Sequence, residues 1–543
     1  MYGAIASFHA VVPALDRAGS VFITIFCYLN RYPDASQPRV TPPKVSSASP
    51  PVSMAASQPT WGNNLLILAS GLSKDDPEKP RGASTNSKWT TSADYIFFGV
   101  SSHLASITSP TLPLTNFYSE TLGSEPSAGW TSGSLISTGQ VAEAPDISIV
   151  TRLFAVFSRS VHVWYPIMND ESLQGLLLCC STEVSDPCLD QKWELFYLIL
   201  AISSLLTKRA EPSMSFTPAV YFDRAISNAD TNCDHSSGPS TLHMMQRSLL
   251  ICIYLLLSPG SGDIWRNLGF AIRLHFDMSH GRSENMYLDE GHHTMLARTL
   301  YCIEGNVTTA FGRPTVLAIG DKLHYELTLP ACDTVNEGIS IQFYRISTIK
   351  MQLQSLLSAA AVHYYPARLK ERCENIQKEL LEWYQYWKTD FVPAITGEVH
   401  GWQDAVQYLD AWGTLQYNAS MLIISRFCPE AIGSVFDTAR EVVSCIAVLV
   451  RHSQRSFCAV PDDKTQCKVP VFPTDWTMSH LLFAAALQVL SSEKQSAAER
   501  AAWQRTVRSC LTTLALMEAD PANLSMGFSD IIEELCNRHE EHT

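Results

Sequence analysis

Apolar residues recur at steps of three and four along most of the chain beyond residue 190, and this spacing constrains the fold more than any other feature. Between residues 242 and 257 the pattern consists of Leu242, Met245, Leu249, Cys252, Ile253 and Leu256. Residues at these steps lie on one face of an α-helix. Runs that alternate with the period of two typical of a strand are scarce. The sequence therefore predicts an all-α fold.

Further segments with this periodicity predict helices at Trp193 to Leu206, Leu369 to Trp387, Tyr408 to Arg426, Val435 to Arg451, His480 to Leu490 and Arg500 to Met517. The first of these is apolar on nearly all sides, which is typical of a helix buried in a core. Residues 258–262 break the helix that precedes them, and Asp263 is well placed to cap the next helix. Because such links are short, we expect a large multi-helix domain of antiparallel helix pairs.

The N-terminal part of the chain has a different composition, rich in Pro, Ser, Thr and Gly from about residue 31. Proline pairs such as Pro42-Pro43 exclude a continuous helix or a central strand. The short apolar islands bury too little surface to offset the entropy lost on ordering. We therefore predict a largely disordered region at 1–145, a helical domain at 146–535 and a C-terminal tail at 536–543.

The charge of the chain argues against direct contact with nucleic acid. The formal net charge is −14, and Lys208-Arg209 is the best short basic pair. Binding to a phosphate backbone requires a local concentration of positive charge. DNA should therefore be reached only indirectly, or through a further N-terminal domain.

The cysteines and the apolar N-terminal run indicate a reduced intracellular protein. The 15 cysteines are irregularly spaced, and several, such as Cys252, Cys302 and Cys445, lie in apolar helical stretches. A thiol there packs as a small hydrophobic group, and an odd count with no evident secretory leader argues against a disulfide framework. The apolar run at 21–29 is shorter than the ~20 residues that span a membrane, so no membrane association is expected.

No segment carries the pattern of a common catalytic or metal site: the P-loop, nucleophile elbow and dinucleotide fingerprint are all absent. His292 and His293 are adjacent on a predicted helix and would point in different directions, which makes them poor ligands for one ion. The acidic pairs at 75–76 and 462–463 lack the third aspartate of the magnesium motif in isoprenoid synthases. We expect no enzyme activity, catalytic residue or cofactor; an all-α enzyme with an undescribed site is the least favoured alternative.

Three motifs follow one another after residue 150. The first contains His162, Tyr165, Pro166, Ile167 and Met168; the second Trp265, Leu268, Gly269, Ala271, Ile272 and Arg273; the third Phe311, Gly312, Arg313 and Pro314, with Leu329-Pro330 behind it. In order and spacing they resemble the regulatory middle homology region of fungal-specific transcription factors of the zinc binuclear cluster class. The resemblance extends over roughly residues 150–530.

Each motif also has a structural explanation. Gly312 can adopt the left-handed conformation that ends a helix, and Pro314 prevents the helix from continuing. Arg313 is placed to hydrogen-bond carbonyl groups at that helix end. Gly269 would let two helices approach closely, with Trp265 filling the core. We therefore interpret the following residues as a structural signature without a catalytic role: His162, Pro166, Trp265, Gly269, Arg273, Gly312, Arg313 and Pro314.

The chain departs from the family pattern near its start. Family members carry six zinc-binding cysteines and a basic linker, whereas here Cys27 is the only cysteine before Cys179. Zinc is therefore expected only if a cluster is encoded ahead of Met1. The resemblance implies a nuclear regulator of a metabolic or secondary-metabolite gene set. Its expected partners are other transcription regulators, a small-molecule effector or a second copy of itself. The alternative is a co-regulator or decoy module that does not bind DNA.

Limited proteolysis tests the predicted boundary at residue 145. A protease should first remove the N-terminal region, because an unfolded segment enters a protease site readily, and should leave a large resistant core. The fragments are measured by mass spectrometry. An early cut within 241–278, the best-defined predicted helix pair, would contradict a single helical domain.

Overall fold

The computed structural model describes residues 146–181, 189–211, 217–231, 240–280, 290–317, 334–362, 366–397, 403–425, 428–458, 470–490, 492 and 496–518, and parts of 528–537. These residues contain fourteen α-helices and no strand, which confirms the predicted all-α fold. The region at 1–145, predicted to be disordered, lies outside the described residues.

The helices are α1 Ile147–Phe157, α2 Asp170–Ser181, α3 Leu189–Ala210, α4 Pro218–Thr231, α5 Thr241–Leu257, α6 Ile264–His280, α7 Glu290–Phe311, α8 Val335–Val362, α9 Pro366–Tyr386, α10 Val392–Gly397, α11 Gln403–Ile424, α12 Val435–Cys458, α13 Trp476–Leu490 and α14 Ala497–Glu518. π-helical turns occur at Ser158–His162 and Trp387–Phe391, and 3₁₀ turns at Pro259–Ser261 and Pro429–Ala431. The helices predicted from periodicity are all present, most with somewhat wider bounds.

Side chains of the preceding residues fix several helix starts. Asp146 Oδ1 accepts a hydrogen bond from Ser148 N at 3.1 Å at the start of α1. Asp263 Oδ1 accepts one from Arg266 N at 3.1 Å, as the sequence predicted. These bonds satisfy backbone N–H groups that have no partner within the helix, and each cap typically stabilises it by about 1 kcal/mol.

Helix α3 is the central element of the N-terminal half. It packs against α1, α2, α4, α5 and α12. The segment from Leu198 to Ile202 is fully buried, which explains its nearly all-round apolar sequence. The second half is built around α11 and α12, which pack against each other, and around α7 against α8. None of the helices described here is both long enough and apolar enough to cross a membrane.

The expected role of Gly269 is wrong. A Cβ atom at Gly269 would meet nothing within 4 Å, so this glycine mediates no close helix contact. Trp265, one turn earlier on α6, is half-buried rather than part of the core. The close approach is made instead by Gly413 on α11, where a Cβ would overlap the indole ring of Trp387 at Nε1. Periodicity does not reveal this contact, because Trp387 comes from the π-helical turn after α9.

Gly312 has φ of 61°, the left-handed conformation expected from the sequence. Gly312→Val should therefore lower the free energy of unfolding by about 1–3 kcal/mol, since a β-branched residue is strained at positive φ. The matched control is Gly269→Ala, which fills open space within a helix and should stabilise the protein by roughly 0.5–1 kcal/mol. Chemical denaturation measures both. Equal stability of Gly312→Val and wild type would contradict the strained helix end.

Candidate functional site

The first motif is a non-helical segment that passes through the interior. After the π-helical turn at Ser158–His162, Trp164 is fully buried and Tyr165 is 1% exposed. The Trp164 ring lies 4.7 Å from that of Trp412 on α11 and 5.1 Å from that of Phe472. The Tyr165 ring lies 5.2 Å from that of Phe343 on α8. The segment therefore joins helices from distant parts of the chain.

The backbone of this segment is satisfied by side chains of other helices. Thr299 Oγ1 on α7 donates to the Pro166 carbonyl at 2.7 Å. Gln246 Nε2 on α5 donates to the Ile167 carbonyl at 3.2 Å. A buried carbonyl without a partner would cost about 1–3 kcal/mol. Pro166 thus belongs to a structural junction.

His162 lies at the start of the same junction and is 7% exposed. Burial lowers the pKa of its imidazole to about 4, although the carboxylate of Asp170 and a backbone hydrogen bond with Met168 oppose the shift. The ring stacks on Phe157 with centroids 6.0 Å apart. His162 is therefore a neutral packing residue at neutral pH.

The third motif forms a compact helix end. Arg313 N donates to the Thr308 carbonyl at 3.0 Å, and Gly312 N donates to the Thr309 carbonyl at 3.3 Å. This is the Schellman pattern, which closes the last turn of α7. The Arg313 guanidinium lies over the Trp265 ring, 4.6 Å from its centroid, and thereby joins the second and third motifs. Pro314 is exposed.

A buried carboxylate holds the turn that follows. Glu304 on α7 is fully buried, and its Oε1 accepts hydrogen bonds from Val316 N at 2.6 Å and Leu317 N at 3.2 Å. Burial raises the pKa of Glu304, while these backbone donors lower it. The turn after the Gly-Arg-Pro motif is thus fixed by a residue that sequence reasoning did not identify.

A polar centre lies beside the aromatic residues of the first motif. The Lys350 ammonium group on α8 donates to Asn306 Oδ1 at 3.2 Å and to Gln416 Oε1 on α11. Asn306 Nδ2 donates to the Tyr165 hydroxyl at 3.3 Å. All four side chains are buried. They connect α7, α8, α11 and the first motif through one cation and its neutral partners.

The charge of this centre is set by burial. Burial lowers the pKa of Lys350 to about 8, while its electrostatic interactions with Asp475 and, to a smaller extent, Cys302 raise it. Burial raises the pKa of Asp475 to about 6, although hydrogen bonds from Thr477 and Met478 and the charge of Arg209 oppose the rise. At neutral pH the centre therefore contains a charged ammonium and a charged carboxylate. Because both groups are desolvated, their burial lowers the stability of the folded state.

Three buried indole N–H groups lie in one cluster of tryptophan rings. Trp164, Trp383 and Trp412 each have an Nε1 atom that finds no acceptor among the described residues. Trp412 stands one helical turn before Gln416 on α11, and its ring contacts those of the other two. Buried donors of this kind usually have a partner, whereas this aromatic cluster contains three unsatisfied indole donors in the described part of the chain.

The remaining predicted residues do not converge on this centre. Gly269 is half-buried and Arg273 is exposed, both on α6. In the basic pair at 208–209, the Arg209 guanidinium donates to the carbonyls of Thr474 at 2.6 Å and Leu257 at 2.5 Å. Arg209 therefore anchors the segment before α13 to the end of α5.

The described residues contain no group of three or more His, Cys, Asp and Glu side chains that could hold a metal ion. The His293 ring stacks on that of His275 with centroids 5.5 Å apart.

Asn306, which begins a glycosylation sequon, is buried on α7. Its function is therefore internal hydrogen bonding, and the sequon is a chance match.

Sequence reasoning missed Glu304, Lys350 and Asp475. Glu304 and Lys350 are charged residues inside apolar stretches: Cys302-Ile303 precedes Glu304, and Ile349 and Met351 flank Lys350. A charge on the buried face of a predicted helix is the signal that could have found them. Their partners could not be named, because Asn306 and Gln416 are identified only by the packing of the helices.

Residues 155–385 match the family model described as the fungal specific transcription factor domain. The match begins within α1 and ends within α9, so it includes all three motifs, Glu304 and Lys350. Gln416 and Asp475 lie beyond it and still contribute to the polar centre. No curated protein and no solved structure matches the chain.

Asp475→Asn tests the charge of the polar centre. Because burial raises the Asp475 pKa to about 6, the folded state binds its proton more tightly than the unfolded state. The proton on Asp475 therefore stabilises folded wild type below about pH 4. As the pH rises to about 6 this contribution is lost, and the free energy of unfolding falls by about 3 kcal/mol. The asparagine of the variant caps a helix equally well and does not titrate.

The free energy of unfolding of wild type and Asp475→Asn is therefore compared between about pH 4 and about pH 6. The free energy of unfolding of Asp475→Asn minus that of wild type should increase as the pH rises. Asp146→Asn shows the effect of the same exchange at an exposed helix cap. A pH-independent difference between wild type and Asp475→Asn would show that Asp475 titrates as in the unfolded chain.

Proposed function

Because residues 155–385 belong to the fungal-specific transcription factor domain family, we propose that this chain is a nuclear transcription regulator whose helical domain receives the regulatory signal. The family match is the observation that carries this proposal. The three motifs support it, since each occupies a structural junction within the matched region. The gene set that it controls is a metabolic or secondary-metabolite set.

The regulatory signal is a small-molecule effector that binds at the polar centre. Two N–H groups of the Lys350 ammonium are used by Asn306 and Gln416, which leaves a third for an acceptor on the effector. The indole N–H groups of Trp164, Trp383 and Trp412 supply neighbouring donors. A small carboxylic acid with an apolar body fits this combination of a cation, neutral donors and aromatic walls.

The chain acts on DNA through other molecules and has no enzyme activity. Its net charge of −14 disfavours a phosphate contact, and Arg209, which belongs to its best short basic pair, is engaged in internal hydrogen bonds. Partner regulators or a zinc-cluster domain would provide the DNA contact. A co-regulator or decoy role without DNA contact is the second candidate, favoured by the same charge.

Fusion of the chain to an unrelated DNA-binding domain tests the proposed function. The fusion should change transcription of a reporter that carries the matching DNA site, because the helical domain would act wherever it is tethered. Lys350→Met should alter the dependence of that transcription on added small carboxylic acids. Lys378→Met, which removes an exposed lysine on α9, should leave it unchanged.

The outcomes separate the candidates. Reporter output that changes on tethering, together with enrichment of the untethered chain on chromatin, supports a regulator. Output that changes on tethering without chromatin enrichment supports the co-regulator. A tethered chain that folds and leaves the reporter unchanged contradicts both.

A further inference from the structure

One face of helix α9, which carries Lys370, Cys373 and Gln377, packs against the segment before α12. Lys370 Nζ lies 3.1 Å from Glu430 Oε1. Gln377 Nε2 donates to the Ala431 carbonyl at 3.4 Å. Cys373 stands between Lys370 and Gln377 on the same face of α9, since the steps are three and four residues. The flanking contacts therefore bring Cys373 against the residues just before Glu430.

Cys428 occupies that position. Both cysteines are free thiols, Cys373 fully buried and Cys428 3% exposed. The flanking contacts at Lys370 and Gln377 place the Cys428 thiol next to that of Cys373, and the Cys428 thiol contributes to the raised pKa of Cys373. Two contacting thiols need only a short approach of their sulfur atoms to reach the bond length of about 2 Å in a disulfide. The 3₁₀ turn at Pro429–Ala431 follows Cys428 directly.

We propose that Cys373 and Cys428 form a redox modification site, at which a peroxide converts the two thiols into one disulfide. The first thiol reacts with hydrogen peroxide to give a sulfenic acid and one water. The second thiol attacks that sulfur, forms the S–S bond and releases the second water. The two sulfur atoms together lose two electrons, and the two peroxide oxygens gain them.

The environments of the two thiols indicate which one is oxidised first and which one then forms the disulfide. Burial, followed by the neighbouring Cys428 thiol, raises the pKa of Cys373 to about 12, so Cys373 is protonated at neutral pH and reacts poorly with peroxide. Cys428 is 3% exposed and directly precedes the turn at Pro429–Ala431, whereas Cys373 is fully buried, so peroxide meets Cys428 first. Cys373 resolves the sulfenic acid, because the contact between the two sulfurs gives it a high effective concentration.

The bond would link two parts of the domain that are far apart in sequence. Cys373 lies in the family-matched region, and Cys428 lies beyond it. A disulfide between them closes a long loop of the unfolded chain and thereby raises the stability of the folded state. The oxidised protein should therefore melt at a higher temperature than the reduced protein.

The experiment uses the purified full chain in its reduced form. The protein is treated with hydrogen peroxide, remaining thiols are blocked with iodoacetamide, and the digest is examined by mass spectrometry. The expected result is a peptide pair crosslinked through Cys373 and Cys428, which dithiothreitol separates. A melting temperature that rises on oxidation and falls on reduction should accompany it.

Variants identify the pair. Cys373→Ser and Cys428→Ser should each abolish the crosslink and the rise in melting temperature. The matched control Cys445→Ser, which changes another buried cysteine on α12, should retain both. The peptides from oxidised wild type test the proposal even if a variant fails to fold. Alkylation of both Cys373 and Cys428 after oxidation, or a crosslink to other cysteines in their place, would overturn the proposal.

Discussion

The burial of Trp164 and Tyr165 is the interaction on which the rest of the domain depends. The N–H groups of Trp164 and Tyr165 donate to the Val161 carbonyl of the preceding π-helical turn, at 3.1 Å and 2.8 Å. The non-helical residues that follow need partners from other elements, and Thr299 on α7 and Gln246 on α5 donate to the carbonyls of Pro166 and Ile167. Helices α8 and α11 then pack on the two rings. The first motif thus acts as a junction around which helices from both halves of the chain assemble.

The polar centre beside this junction does not contribute to stability in the same way. A buried ammonium and a buried carboxylate lose their hydration, and packed apolar residues of similar volume are often as stable or more so. Lys350 and Asp475 therefore lower the stability that the surrounding aromatic residues provide. What they add is selectivity for one arrangement of α7, α8 and α11, since any other arrangement leaves the Lys350 charge without its amide acceptors.

The sequence predicted features that depend on local interactions and missed those that depend on distant ones. Helix α5, the cap at Asp263 and the left-handed Gly312 follow from residues within a few positions of one another, and all three are present. Gly269 and Gly413 are both helical glycines, and only their neighbours in the fold distinguish them. Lys350 illustrates the same limit: its acceptors lie 44 and 66 positions away.

Three consecutive residues of α7 connect the polar centre to the Gly-Arg-Pro turn. Asn306 accepts from Lys350, and Glu304 holds the backbone of Val316 and Leu317. Between them Gly305 lies so close to α8 that a Cβ would stand 3.1 Å from the Ser347 carbonyl. Because packed helices leave little free space, Gly305 is the residue type that lets α7 approach α8 this closely. The position of α7 against α8 therefore fixes both Asn306 at Lys350 and Glu304 at the turn beyond Gly312.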